Sequence, residues 1–115
     1  MTKFLFKRIY DDVNEEDGHR IFFDRLWPRG LKKEEVHFDE WRKEFAPSTE
    51  LRKWFHADMS VRGLPFEQRY KQELEENPGW EAFRSEVRRF PVVTLLTATK
   101  DARHSYLAVL KELLE

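Results

Sequence analysis

The sequence predicts a single α/β domain, a central and mostly parallel sheet flanked by helices. Three observations lead there. Val92-Val93-Thr94-Leu95-Leu96 is a continuous apolar run, too short for a helix and without alternation, the pattern of a strand buried on both faces. A polar turn, Thr97-Ala98-Thr99-Lys100-Asp101, follows it directly. Beyond the turn Tyr106, Leu107, Val109, Leu110, Leu113 and Leu114 recur at three- and four-residue steps, which makes one apolar helical stripe. Strand, short turn and helix in that order are half of a parallel α/β unit, and ligands in such folds usually bind at that kind of turn.

Composition bounds the rest. A chain of 115 residues supports one core rather than two. Ten Phe and four Trp mean that much of this core is aromatic. The absence of cysteine excludes disulfides, thiolate zinc sites and cysteine nucleophiles. The opening MTKFLFKRIYDD places charges inside its apolar run, unlike a signal peptide, and no apolar run approaches a membrane span, so a cytoplasmic protein with no membrane partner is expected. The net charge is -1, with basic residues interspersed among acids. Nucleic-acid binding through a broad basic surface is therefore not supported, although a local basic pocket remains compatible with it.

Taken in order, Lys3 to Tyr10 alternates and reads as a first strand, followed by an acidic loop from Asp11 to Gly18. His19 to Leu26 returns to strand character around Ile21-Phe22-Phe23. The two strands either pair as a hairpin across the loop or lie apart in one sheet. Pro28 and Gly30 then take the chain out of the sheet, concentrating Asp24, Arg25, Trp27 and Arg29 at a strand end. Phe38, Trp41 and Phe45 have the spacing of a short helix, with an edge strand over Phe38 to Trp41 as the alternative. Ser48 or Thr49 caps a helix carrying Leu51, Trp54 and Phe55. His56 to Leu64 reads as a loop, and a longer helix starts near Pro65 with Phe66, Tyr70 and Leu74 on its apolar side. Asn77-Pro78 starts another, bearing Trp80, Phe83 and Val87.

These stretches, in this order, resemble a known family. DGHRIFFDRLWPRGL, WRKEFAPSTELRKWFH, the YKQEL helix and VVTLLTATKDARHSYLAVLKELL are similar to domain-of-unknown-function family 488, in its short YeaO-like branch, over about residues 7 to 114. The segment from Asp24 to Gly30 is the most distinctive part of the match. The resemblance implies a small α/β protein of Rossmann-like character and implies no particular reaction. After Trp54-Phe55 the family pattern carries a glycine, then a histidine and an aspartate, where this chain has His56-Ala57-Asp58.

The resemblance also places both polar turns in one fold. If their strands are parallel neighbours, Asp24, Arg25, Arg29, Thr97, Thr99, Lys100, Asp101 and His104 face one crevice. Guanidinium groups, an ammonium and helix amides are the parts of an anion or phosphate site, with Trp27 as a wall for a flat ligand. Asp101 reads equally as the cap of the last helix. Three classes follow. The first is a small enzyme on a nucleotide or other phosphorylated compound, with Asp24, Asp101 and His104 as acid-base groups and Arg25, Arg29, Thr97, Thr99 and Lys100 as binding groups. The second is a non-catalytic module that holds such a ligand. The third is an interaction protein. No P-loop, Gly-rich fingerprint or nucleophile elbow is present to name a cofactor or reaction, and His19, His37, His56 and His104 show no metal-ligand spacing. The sequence carries no signal for oligomeric state.

Overall fold

The computed structural model describes residues 2–57 and 59–115. Four strands, β1 (Lys3–Arg8), β2 (His19–Phe22), β3 (Glu40–Trp41) and β4 (Val92–Thr97), form one sheet in the order β1-β4-β2-β3. Every neighbouring pair is parallel. The apolar run is thus an interior strand, as its lack of a polar face predicts. At its centre the buried Thr94 hydroxyl donates to the Asp17 carbonyl at 2.7 Å.

β1 and β2 are not a hairpin, because β4 lies between them. The acidic loop that joins them is organised by Asn14, whose side chain accepts from the Glu16 amide while Asp17 accepts from the Asn14 amide. Gly18 ends the loop at φ 63, and a Cβ there would overlap the Val92 carbonyl. That close approach sets the start of β2 beside the start of β4.

Two corrections concern the middle of the chain. Glu40 and Trp41 form an edge strand rather than a helix, followed by a single 3-10 turn at Lys43–Phe45. Pairing with β2 outweighs the local helical spacing, with the Asp39 amide donating to the Arg20 carbonyl at 2.7 Å and the Arg42 amide to the Phe22 carbonyl at 2.8 Å. The helix expected to start near Pro65 begins earlier. α1 (Thr49–Ala57) is followed by α2 (Met59–Glu76), so the backbone of 59–64 is helical and Pro65 sits inside the helix. Asp58, part of the expected loop, lies outside the described residues. Propensity is a weak prior against packing, and the apolar series Phe66, Tyr70, Leu74 carries this helix against the core.

α3 (Trp80–Val87) and α4 (Tyr106–Leu114) complete the fold. Apolar residues of all four helices share one core with Phe4, Ile21, Val93 and Leu95 of the sheet. Phe22 and Leu96, which alternate with these, join a second cluster packed by Trp27, Leu31 and Phe38 from the loops and by Trp41 of β3. Beside that cluster lies a buried ionic group. Asp17, 2% exposed, pairs with Lys7 at 2.9 Å and with Arg20, itself 1% exposed. Burial pushes the Asp17 carboxyl up, but hydrogen bonds from Lys7, the Asn14 amide and Arg20 outweigh it and hold it below its ordinary value. No helix among the described residues is long and apolar enough to cross a membrane.

Candidate functional site

Because β2 and β4 are parallel neighbours, their carboxyl ends lie side by side, and the turns that follow them meet. Asp24 joins the two. Its carboxylate accepts from the Thr97 hydroxyl at 2.7 Å, the Ala98 amide at 2.9 Å and the Tyr106 hydroxyl at 2.5 Å. Burial first, and then the Asp24 charge, push the Tyr106 hydroxyl well above its usual range, so it stays a donor. Arg8 braces the same turn from β1, donating to the carbonyls of Thr99 and Ala98 at 3.2 Å each.

A crevice of about 460 Å³ opens at this point, between the strand ends and helices α1, α2 and α4. Asp24, Arg25, Thr99 and His104, singled out from the sequence, all line it. Arg25 is held in place by the loop before α1, with Nε on the Pro47 carbonyl at 2.7 Å and an Nη on the Ala46 carbonyl at 3.0 Å. That loop is itself fixed by the buried Tyr70 hydroxyl, which donates to the Phe45 carbonyl at 2.5 Å. Thr97 lies under the crevice, fully buried against Asp24, and hydrogen-bonds to Thr99 at 3.3 Å.

The other candidates stand elsewhere. Trp27 packs edge-on against Phe22 and Trp41, with its indole nitrogen on the Leu31 carbonyl, in the second core cluster. Its apolar surface is used by the protein itself. Arg29 is exposed on the turn that Gly30 closes at φ 78 and is not among the residues lining the crevice. Lys100 is exposed and likewise outside the lining. Asp101 does not cap α4. Ser105 does, its hydroxyl oxygen accepting from the Leu107 amide at 3.2 Å. Asp101 precedes a 3-10 turn, Ala102–His104, and accepts from His104 Nδ1 at 2.7 Å on the exposed rim. This bond to His104 is the main cause holding the Asp101 carboxyl below its ordinary value.

Sequence reasoning missed two basic groups that the fold adds, Arg52 and Arg103, and left a third, His56, undecided. Arg52, Phe55 and His56 reach the crevice from one side of α1, and Arg103 reaches it from the turn before α4. The signal for the first three is their i, i+3, i+4 spacing, which puts them on one helical face. Among the described residues neither Arg52 nor Arg103 has a side-chain ion pair. Opposite charge comes from Asp24 and Glu67, and the apolar wall from Pro47, Phe55, Phe66, Ala108 and Val109. The Ser105 hydroxyl is occupied, donating to the Ala102 carbonyl at 2.7 Å, and no described Ser or Thr hydroxyl is hydrogen-bonded to His56 or His104. Among the described residues, no group of three or more His, Asp or Glu side chains is arranged to hold a metal ion.

Fold and geometry together define a small, all-parallel α/β domain with a basic, partly apolar crevice at adjacent strand ends. The chain belongs to the DUF488 family: residues 3–115 match a family model described as the inactive DUF488-N3 subclade. It is similar to the uncharacterized protein YeaO of Escherichia coli strain K12, 40% identical over 106 residues that cover 92% of this chain and 91% of that one. It is also similar to the uncharacterized protein Rv3073c of Mycobacterium tuberculosis strain H37Rv, 38% identical over 113 residues, 98% of this chain and 94% of that one. No solved structure matches the chain.

Proposed function

We propose that this protein binds a small anion, inorganic phosphate or a phosphorylated or carboxylated compound, in the crevice and does no chemistry on it. The observation that carries this reading is the pair Arg52 and Arg103, which line the crevice with no ion-pair partner among the described residues. With Arg25, three guanidinium groups share the lining with the two carboxylates Asp24 and Glu67, a local excess of +1 among the described residues before either histidine is counted. Cations gathered in a concave site repel one another unless a ligand offsets them, and guanidinium groups meet an oxyanion with charge-assisted, bidentate bonds.

The lack of chemistry is supported from two sides. Asp24 has three donors on its carboxylate and holds the fold, so it is not free to act as a base. The family model itself is described as an inactive subclade.

Thermal melting with and without phosphate tests the proposal. A ligand at 100 times its dissociation constant stabilises by about 2.7 kcal/mol. Wild type is expected to melt higher with phosphate, and the double variant Arg52→Ala/Arg103→Ala to melt like unliganded wild type with or without it. No shift in wild type, or an equal shift in the variant, contradicts the reading.

A further inference from the structure

We infer that the ligand is an anion with a single charged head on an aromatic or similarly flat apolar body, an inference that rests on the anion-binding reading above. Size is the first argument. A volume of about 460 Å³ corresponds to roughly fifteen waters at about 30 Å³ each, far more than one bare oxyanion displaces. It lies within the range of pockets that take small organic ligands.

The walls are the second argument. Phe55 and Phe66 lie with ring centroids 4.7 Å apart, and both line the crevice. Pro47, Ala108 and Val109 extend this surface without a polar side chain. A hydrated phosphate gains nothing from such a wall, whereas a flat apolar body gains by leaving water.

Charge is the third. Arg52 and Arg103 both stand on the lining, where one oxyanion can draw on them, but Glu67 stands on the same lining. A second or third phosphate on the ligand would meet that carboxylate, so the charge pattern selects one head over a polyphosphate or a nucleic-acid backbone.

Calorimetry on the full chain with simple probes tests this. Phenyl phosphate is expected to bind at least tenfold tighter than inorganic phosphate, about 1.4 kcal/mol. Benzoate tells whether a carboxylate serves as the head as well as a phosphate does, and benzyl alcohol, which lacks the head, is expected to bind at least tenfold more weakly than phenyl phosphate. Ala108→Phe, at an exposed helical position on the wall, fills space that the flat body would occupy and is expected to bring phenyl phosphate down toward the affinity of phosphate. Equal binding of phosphate and phenyl phosphate overturns the apolar body and leaves the anion reading standing. Tighter binding of tripolyphosphate than of phenyl phosphate overturns the single head. Benzyl alcohol binding as well as phenyl phosphate, or no binding by any probe, removes both readings. The wild-type series decides the matter even if the variant fails to fold.

Discussion

Asp24→Ala is expected to act on stability before it acts on any ligand. The substitution removes the acceptor of three donors at once, from Thr97, Ala98 and Tyr106. Thr97 is fully buried, and its hydroxyl keeps just the longer 3.3 Å contact to Thr99 in place of the bond to Asp24, at about 1–3 kcal/mol. The Tyr106 hydroxyl loses its partner at a similar cost, while the Ala98 amide lies in a turn where water replaces the bond. Asp24 is only half-buried, and water entering the vacated space offsets part of the loss. The lower part of the range therefore applies, about 3 kcal/mol, or roughly 12 °C in Tm for a domain of this size. Urea unfolding followed by circular dichroism measures it, with an unchanged m-value as the sign that only stability has moved. Tyr106→Phe alone is expected to cost about 1 kcal/mol, and the double variant less than the sum, since both remove one bond. An Asp24→Ala protein within about 0.5 kcal/mol of wild type would refute Asp24 as the tie between the strand ends and return it to the acid-base candidates.

Two further outcomes follow from the sheet face that carries the loops. The Asp17 carboxyl is held below its ordinary value of 3.8, so its contribution is present above that value and is lost as pH falls through the lower folded one. Stability measured between pH 5 and pH 3 is expected to fall more steeply for wild type than for Asp17→Asn; equal slopes would contradict this. Trp27→Ala and Trp41→Ala are expected to cost about the same, near 3 kcal/mol each, because the two rings pack on one another. A cost below about 1 kcal/mol for Trp27 alone would restore it as a ligand wall.

The parts of this structure that were legible in the sequence are those decided by strictly local pattern. The run Val92 to Leu96 announces itself as an interior strand because a continuous run without a polar face is buried on both faces, and the strand extends one residue further, to Thr97. The parallel α/β class follows from the turn and helix after it. β3 was ambiguous because two residues of strand carry no periodicity, and only Asp39 and Arg42 bonding to β2 fixes it. At the site, the meeting of Asp24 with Thr97 follows once β2 and β4 are parallel neighbours. Arg52, His56 and Arg103 were not visible as a group, because their convergence depends on how α1 lies against the turn before α4. Arg29 and Lys100 lie outside the crevice lining for the converse reason. Each is close in sequence to a strand end, but the turn after that end carries it out to solvent.

The most direct measurement of the central claim is a phosphate titration followed by amide chemical shifts in the full-length protein. Binding in the crevice predicts saturable shifts at Arg25, Arg52, His56, Thr99, Arg103 and His104, with one shared dissociation constant and little change at Arg29 or Lys100. Shifts confined to Arg29 and Lys100, or scattered without saturation over the surface lysines and arginines, would contradict it.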